Sequence, residues 1–582
     1  MTKIAPITHS EHVPRFNRKF FDGSDRMTYI GSGSFGGKAE GLAFANNLLS
    51  ELFRPEDFPR IEVSIPNLVV LRTDIFDAFM ERNQLHDIAY SDLSDDQIAQ
   101  AFLRADLPAE ILGDLWALVS QVHIPLAIRS SSRLEDAMFE PFAGIYATKM
   151  IPNNQFDVKT RFHKLDEAVK FVYASTFFQE AKGYIKATRH SLESEKMAVI
   201  IQEVVGERQG GRFYPIVSGV ARSYNFYPVG YAKPQDGVVD LAFGLGKTIV
   251  DGGRTWTYSP SYPRIDPPFG SVNEMLKHTQ TAFWAINMGD APQYDPLKET
   301  EYLLHLNIDA AEGDDTLRHV ASTVDAGSGR LSIGTGANGP RIISFSPLLK
   351  VNDVPFNDLI KHLLARFEKA SGTPVEIEFA LTFNPTRLGF LQVRPMVVSD
   401  EEIDISDETL QRDDVLMASD WVLGNGRIDT IEDIVYVRPE RFDAKHTVRI
   451  CGELEAVNRA LTDEKRPYLL IGFGRWGSSD PWLGIPVNWG QISGARVIVE
   501  AVRENMNVEL SQGSHFFHNL TSFKVGYFSI KEVDGGVINW PWLESQYLVA
   551  EMPFVKHVRL PAPLQIRIDG RSGRGVIQKP IG

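Results

Sequence analysis

The chain has 582 residues, of which 43% are hydrophobic and 23% charged, a composition typical of folded proteins at a length that predicts two or three domains. The formal net charge of -15 disfavours nucleic acid and anionic membranes as partners, because a field of that sign repels both. The polar start predicts no signal peptide, and no apolar run reaches the ~18 residues of a membrane span, so we expect a soluble cytoplasmic protein.

A polar arm over residues 1–27 precedes a glycine-rich loop, residues 31–37 (GSGSFGG). The loop leads into Lys38, after which apolar residues recur at helical spacing. Gly36 and Gly37 let backbone approach a phosphate closely, and a helix start adds its positive dipole end and the lysine ammonium. Taken alone, the pattern fits a plain loop with a surface lysine equally well.

Strands and helices alternate in the next part of the chain. We predict a strand at 61–71, helix over 91–120, a strand from 123 that runs into a serine-rich turn ending at 133, and a long helix over 159–190. Arg129 lies at the end of the second strand beside serine hydroxyls. A guanidinium there suits a phosphate, because it offers two fixed donors. A surface turn that pairs Arg129 with Asp136 is equally open.

The following stretch is rich in strands, predicted at 196–205, 214–231, 238–243, 374–383 and 388–394. Glu376 and Glu378 share one face of their strand, and Gln392 and Arg394 share one face of the next, because side chains alternate. Antiparallel pairing would place the acids beside the amide and the cation. Glutamate and glutamine oxygens suit octahedral Mg²⁺, which keeps other ligands from water and phosphate. The alternative is a salt-bridged sheet edge.

Six stretches stand in order between residues 30 and 400: GGKAEGL, IPNLVVLRT, LAIRSSSRLEDAMFEPFAG, MAVIIQEVV, LAFGLGKTIVDGG, and IEFALTF with GFLQVRPM. Together they resemble the ATP-binding domain of pyruvate phosphate dikinase, phosphoenolpyruvate synthase and rifampin phosphotransferase. The resemblance implies an α+β or α/β protein with an ATP-grasp domain of two lobes, at 28–190 and 191–398. It also implies ATP and Mg²⁺ as cofactors.

The resemblance assigns roles by position. Lys38, with Gly36 and Gly37, corresponds to the phosphate-binding lysine and its loop, and Arg129 to the arginine that holds the transferring phosphates. The other assignments are Gly144 and Thr148 in the loop over the triphosphate, Gln202, Glu203 and Val205 on the adenine strand, Glu378 and Gln392 as Mg²⁺ ligands, and Glu376 and Arg394 as supporting acid and arginine.

Two features depart from the family. Lys247 follows Gly-Leu-Gly where relatives usually carry a glutamate, so a further phosphate contact and a solvent-exposed side chain are both open. After residue 400 there is neither a clear Thr-Ser-His-Ala swivel motif nor enough chain for a TIM barrel. We therefore do not expect pyruvate as the substrate.

An acidic linker is predicted at 399–415, followed by a smaller mixed α/β domain at 416–582 with strands at 467–473, 495–501 and 556–569. A stretch rich in glycine and tryptophan in this domain favours either a ligand pocket or a packed hairpin. The residues that would contribute to an acceptor site are Arg475, Trp476, Asp480, His515 and His518.

His515 and His518 lie in the sequence QGSHFFHN. A neutral imidazole accepts a phosphoryl group near pH 7, so His515 is a candidate phosphate carrier. Binding of the acceptor, a shared metal ion and structural packing stay open for the pair. Cys451 is the single cysteine, which excludes an internal disulfide, and we expect a small core residue there.

We therefore expect an Mg²⁺-dependent, ATP-binding phosphotransferase, a kinase or dikinase-like enzyme whose acceptor the sequence does not name. Its expected catalytic residues are Lys38, Arg129, Arg394 and His515. One alternative is a nucleotide-binding regulatory or scaffold protein with a partner protein, and another is the ATP-binding subunit of a split dikinase.

Overall fold

The computed structural model describes residues 12–18, 25–54, 56–132, 135, 144–187, 191–226, 228, 232–267, 271–352, 354–396, 398, 403, 405–410, 412–478, 482, 484–502, 520, 525–531, 538–570 and 572–580. The chain forms two compact units. The first unit comprises Met1–Ser223, Val238–Ile249 and Arg254–Pro395, and the second comprises Tyr224–Gly237, Val250–Gly253 and Met396–Gly582.

The strands of the first unit are β1 (Met27–Ile30), β2 (Glu62–Ser64), β3 (Leu68–Leu71), β4 (Leu126–Ser132), β5 (Thr148–Ile151), β6 (Met197–Glu203), β7 (Glu207–Gln209), β8 (Arg212–Tyr214), β9 (Val217–Arg222), β10 (Val238–Ala242), β11 (Trp256–Tyr258), β12 (Ala282–Asn287), β13 (Leu303–Asn307), β14 (Ala321–Val324), β15 (Leu331–Ile333), β16 (Arg341–Ile343), β17 (Val375–Phe383) and β18 (Thr386–Pro395). They form four sheets, ordered β1-β3-β6-β4-β5, β11-β10-β9-β17-β18-β2, β13-β12-β8-β7 and β15-β14-β16.

The helices of the chain are α1 (Gly37–Leu52), α2 (Thr73–Arg82), α3 (His86–Ala89), α4 (Asp95–Arg104), α5 (Ala109–Gln121), α6 (Val158–Ser175), α7 (Gln179–Ala187), α8 (Lys247–Val250), α9 (Val272–His278), α10 (Phe356–Ser371), α11 (Asp407–Leu410), α12 (Thr447–Asp463) and α13 (Trp540–Glu544). Within the described residues, no helix combines the length and the apolar character needed to cross a membrane.

The six-stranded sheet of the first unit carries its main core against α1 and α10. Phe367 of α10 stacks on Phe390 of β18, with ring centroids 4.7 Å apart. On α1, a Cβ atom at Gly41 would lie 2.8 Å from the carbonyl oxygen of Val393, so the glycine allows the helix to approach β18 closely. This packing fixes the start of α1, and with it Lys38, beside the sheet.

The second unit has strands β19 (Val415–Ser419), β20 (Val422–Leu423), β21 (Gly426–Ile428), β22 (Asp433–Val437), β23 (Tyr468–Phe473), β24 (Arg475–Trp476), β25 (Gly484–Ile485), β26 (Ala495–Val502), β27 (Gly526–Lys531), β28 (Tyr547–Glu551), β29 (Val555–Arg559), β30 (Gln565–Asp569) and β31 (Arg574–Gln578). A seven-stranded sheet, β20-β27-β26-β23-β22-β29-β28, has a parallel centre from β22 to β27. A four-stranded sheet, β19-β31-β30-β21, accompanies it.

The predicted mixed α/β class is confirmed, and several predicted elements need correction. The single strand predicted at 61–71 is wrong: β2 and β3 belong to different sheets, and Pro66 between them has no N–H for a ladder. The predicted strand at 556–569 likewise divides into β29 and β30, with prolines in the connection. The domain and linker boundaries given above remain predictions.

The serine-rich turn predicted to end at 133 is also wrong, because Ser130 to Ser132 continue β4 and pair with β6. Their hydroxyls are buried but satisfied: Ser130 donates to Glu135 and Ser131 to the carbonyl of Phe35. Buried hydroxyls are tolerated in a central strand when each has a hydrogen-bond partner. The helical stretch predicted over 91–120 comprises α4 and α5, and the long helical stretch predicted over 159–190 comprises α6 and α7.

Candidate functional site

The glycine-rich loop crosses the end of β4 and places Lys38 beside it. Gly36 has φ 74°, and a Cβ atom there would lie 1.8 Å from the carbonyl oxygen of Ser131, so the crossing requires glycine. The Nζ atom of Lys38 lies 2.6 Å from Glu135 and 3.2 Å from the Ser130 hydroxyl. Lys38 is buried, so the interpretation as a surface lysine is wrong.

Glu135 is a residue of this site that the sequence analysis missed. It is buried, accepts from Lys38 and Ser130 through Oε1, and accepts from the backbone N–H of Ser132 through Oε2 at 2.9 Å. The available signal was an acid three residues after a run of serines, which is the spacing of a local side-chain-to-backbone bond. An anion that binds Lys38 therefore has to compete with, or sit beside, this carboxylate.

Arg129 joins the five-stranded sheet to the six-stranded sheet within the first unit. Its Nη1 donates to Gln202 Oε1 at 3.1 Å and to the carbonyl oxygen of Leu391 at 2.9 Å. Its Nη2 donates to Gln392 Oε1 at 2.8 Å and lies 3.8 Å from Glu378 Oε2. The alternative partner, Asp136, lies outside the described residues.

A bulge in β18 explains how a backbone carbonyl reaches Arg129. Glu378 pairs with Gln392 while Phe379 pairs with Phe390, so Leu391 is an extra residue in the ladder. The bulge turns Phe390 into the core and leaves Gln392 on the opposite face, because an inserted residue reverses the alternation of side chains. Bulges of this kind occur beside functional sites, where they redirect individual groups.

The predicted antiparallel pairing of the two acidic and basic strands is confirmed: Glu376 is opposite Arg394, and Glu378 is opposite Gln392. Glu376 is 1% exposed and both of its oxygens are engaged. Arg394 donates to Oε1, and Arg222 Nε donates to Oε2 at 2.6 Å. Glu376 is therefore an internal anchor of the site, with no oxygen directed to solvent.

Arg222 and Asp240 were missed in the sequence, where each is an isolated charge in an apolar strand. Arg222 Nη1 lies 3.5 Å from Asp240 Oδ2, and Thr257 donates to the other oxygen of Asp240. Burial raises the pKa of Asp240, and the charge of Arg222 and the hydroxyl of Thr257 oppose that rise. Strand periodicity alone does not reveal which buried charges meet across a sheet.

Glu378 and Gln392 are the two residues with oxygen atoms that could hold a divalent cation at this site. The Glu378 side chain is 16% exposed, and its oxygens lie 3.8 Å from Arg129 and 3.6 Å from Arg394, beyond hydrogen-bond distance. One carboxylate and one amide oxygen fit Mg²⁺, which usually takes few protein ligands and completes its octahedron with water and phosphate. No three His, Cys, Asp or Glu side chains in the described ranges converge on a metal site.

The residues assigned to adenine follow one another at the end of β6. Gln202 is buried against Arg129, and Glu203 Oε2 accepts from Asn67 Nδ2 at 2.9 Å. Burial raises the pKa of Glu203. Val205 covers β18 at Gly389, where a Cβ atom would lie 2.3 Å from Val205 Cγ2. The structure thus brings this strand end against β18.

Of the two positions assigned to the triphosphate loop, one precedes β5 and the other is its first residue. Gly144 has a left-handed φ of 71°, and Thr148 is the partner of Arg129 across β4 and β5. The backbone N–H of Thr148 donates to Glu299 Oε1 at 3.0 Å. Lys247, the departure from the family, begins α8 with its Nζ 5.8 Å from the centroid of the Trp284 ring.

The residues proposed for an acceptor site are only partly described. Trp476 is buried over Gly472 and donates to the carbonyl of Val499 at 3.2 Å, so its indole belongs to the core of the second unit. Arg475 Nη1 donates to the carbonyl oxygen of Gly252 at 3.0 Å. Asp480, His515 and His518 lie outside the described residues.

Two further observations concern residues away from this site. A cavity of about 730 Å³ lies at the other end of α1 and includes Asn46, Phe58 and Thr386 in its lining, but none of the assigned residues. Cys451 is buried in α12, and burial raises the pKa of its thiol to about 12. The expectation of a core cysteine is confirmed.

The first unit is thus a mixed α/β domain that holds a buried lysine beside the end of β4 and, between two of its sheets, an arginine next to a carboxylate–amide pair. Residues 32–414 match the family described as pyruvate phosphate dikinase, AMP/ATP-binding domain. The match covers more than half of the chain, and the chain belongs to this family. No curated protein matches the sequence. An adenine nucleotide is accordingly the ligand class of the first unit.

Proposed function

We propose that the protein is an Mg²⁺-dependent phosphotransferase that takes its phosphoryl group from ATP. The observation that carries the proposal is the position of Arg129, bonded to Gln392 and 3.8 Å from Glu378. A cation thus adjoins the two groups suited to a metal. A phosphate bound there would meet both a guanidinium and a metal, as phosphoryl transfer requires.

In this proposal the chain supplies position and positive charge. Charge in the transition state spreads over the phosphate oxygens, and preorganised cations stabilise it without reorganising. Lys38 and Arg129 bind the phosphates, and Arg394 supports the same region from β18. Mg²⁺, when bound by Glu378 and Gln392, neutralises charge on the phosphate oxygens. Gln392 can hold Arg129 and the metal together, because an amide oxygen has two lone pairs.

The destination of the phosphoryl group distinguishes the forms of the proposal. A dikinase-like enzyme yields AMP, transfers one phosphoryl group to a carrier, for which His515 is the candidate, and transfers the other to water or inorganic phosphate, whereas a kinase yields ADP and a phosphorylated acceptor. A regulatory or scaffold protein would bind ATP without turnover. The subunit of a split dikinase would pass phosphate to a histidine on another chain.

The test is incubation of the full chain with Mg²⁺ and ATP labelled at the β or the γ phosphate. AMP with an acid-labile phosphoprotein that His515→Ala abolishes supports the dikinase-like form, and ADP that appears with an added acceptor supports the kinase. Lys38→Ala should suppress either reaction, while Lys159→Ala, at an exposed position, should not. Tight ATP binding with no turnover, alone or with cell extract supplying acceptors and partners, contradicts the proposal.

A further inference from the structure

Four buried charges form a row behind the proposed metal ligands. Arg222 of β9 is the direct partner of Glu376 of β17, which is the direct partner of Arg394 of β18. Asp240, on the adjacent strand β10, adjoins Arg222 at 3.5 Å. All four are buried, and the two arginines balance the two acids.

The two arginines of the row hold the Glu376 carboxylate in one orientation. One of its oxygens accepts from Arg394 and the other from Arg222 Nε at 2.6 Å, so the carboxylate is held from two sides. Each arginine of the row gains a charge-assisted bond, which is stronger and more directional than a neutral bond. Without Arg222, Oε2 of Glu376 would lose its charge-assisted bond of 2.6 Å.

The held carboxylate in turn sets the position of Arg394. The Arg394 guanidinium contacts Glu376 through Nε and Nη2, and its Nη2 lies 3.6 Å from Glu378 Oε1. That separation leaves the Glu378 carboxylate near a cation but outside hydrogen-bond distance. A shift of Glu376 would therefore move a charge beside the proposed metal ligand.

We infer that Arg222 and Asp240 are positioning residues for the metal site, an inference that rests on the proposed function. Arg222 acts through Glu376 and Arg394 on Glu378, and Asp240 holds Arg222 by charge. Neither residue touches nucleotide or metal in this account. Direct partners of a metal ligand typically contribute ten- to a hundredfold to metal affinity, and because Arg222 and Asp240 lie further back, we expect the lower end of that range, about tenfold.

The competing explanation is that the row only stabilises the fold, and a charge-balanced variant separates the two. Arg222→Met alone would leave Asp240 buried and uncompensated, which is strongly destabilising. Arg222→Met combined with Asp240→Asn removes one charge of each sign and keeps the bond between Glu376 and Arg394. Such a balanced replacement can be nearly neutral for stability.

The measurement is the affinity for ATP with and without Mg²⁺, by titration calorimetry on the full chain, together with thermal unfolding. The double variant should stay folded at the titration temperature and bind metal-free ATP equally well, but lose about tenfold of the affinity gained from Mg²⁺. Arg212→Met with Asp314→Asn, an ion pair of 2.6 Å elsewhere in the unit, is the matched control and should keep the full gain.

Arg222→Lys provides a second test if the double variant fails to fold. Lysine keeps the charge but lacks the fixed fork of a guanidinium, so we expect a loss of about threefold, intermediate between wild type and the double variant. A full Mg²⁺-dependent gain in the folded double variant, or in Arg222→Lys if only that folds, overturns the inference alone. A wild type that gains nothing from Mg²⁺ overturns the proposed function, and the inference with it.

Discussion

The two units each gather charges around a carboxylate on a strand, and they satisfy it differently. In the second unit Asp433 accepts from Arg466 at 2.6 Å and from Arg559 and His557 at 2.8 Å. In the first unit Glu378 lies 3.6 Å and 3.8 Å from the two arginines nearest to it. Asp433 is hydrogen-bonded to all three of these side chains, whereas Glu378 lies near two arginines without a hydrogen bond to either.

The difference indicates what separates a structural cluster from a ligand site. Burial raises the pKa of Asp433, but the three hydrogen bonds outweigh it and hold the pKa at about 2, so the group is a permanent anion with its partners in place. Glu378 is partly exposed and has room for a further ligand. Incomplete coordination of a charged group, more than the number of charges, marks the site in the first unit.

Asp433→Ala should give the greatest loss of stability. It leaves two arginines and a histidine partly buried without their acid, and we expect a loss of about 3 kcal/mol in the free energy of unfolding. Urea unfolding measures that loss, and ATP affinity should stay unchanged. If Asp433→Ala instead reduced ATP affinity and left stability unaltered, the distinction between a structural cluster and a ligand site would not hold.

Glu378→Gln should show the opposite profile. The variant keeps the shape of the side chain but loses the charge that holds a metal, so the Mg²⁺-dependent part of ATP affinity should fall by more than about tenfold. The melting temperature should change little, because the carboxylate makes no short hydrogen bond. Calorimetric titration with and without Mg²⁺ checks this, and an unchanged Mg²⁺ dependence would refute the metal assignment.

Glu180 adds a pH dependence to the stability of the first unit. Burial, then Asp95 and Glu299, raise its pKa from 4.5 to about 7. A raised pKa means that the folded state binds the proton more tightly, so this contribution is complete below pH 4.5 and is lost as pH rises through about 7. Glu180→Gln should therefore melt at the same temperature as wild type at pH 4.5 and higher at pH 8. A difference in melting temperature between the two proteins that stays the same from pH 4.5 to pH 8 would contradict the expectation.

Lys247→Met should have the smallest effect. The ammonium lies 5.8 Å from the Trp284 ring centroid, at the limit of a cation–π contact, which at a partly exposed position stabilises by about 0.5 kcal/mol. We expect a small fall in melting temperature and unchanged ATP affinity. A clear loss of ATP affinity would instead assign Lys247 to the phosphate site.

The sequence predicted the class of fold and the pairing of β17 with β18, for physical reasons that can be named. The alternation of side chains placed Glu378 and Gln392 correctly, because both lie on continuous strands on the same side of the bulge. It could not predict the bulge at Leu391, since an inserted residue leaves no periodic signal. Nor could it predict that Arg222 meets Glu376, because strand order depends on the whole sheet and 154 residues separate the pair.

Local signals failed where tertiary contacts decided the outcome. The serines after Arg129 have the composition of a turn, yet they continue a strand because Glu135 and the Phe35 carbonyl satisfy their hydroxyls. Proline was a more reliable signal of strand ends. Pro66 divides the predicted strand, because a residue without an N–H cannot donate to a β-ladder. The predicted acceptor residues lie after the family match at 32–414, so they rest on local composition and on the residues that precede His515.

The central claim, that the first unit binds ATP across Arg129, is tested most directly by calorimetric titration of Mg²⁺·ATP into wild type and two variants. Arg129→Ala removes charge-assisted bonds that contribute about 1.5–3 kcal/mol each, so its affinity should fall by more than about tenfold. Arg104→Ala, at an exposed position at the end of α4, should bind as wild type does. Equal affinity in all three proteins would contradict the claim.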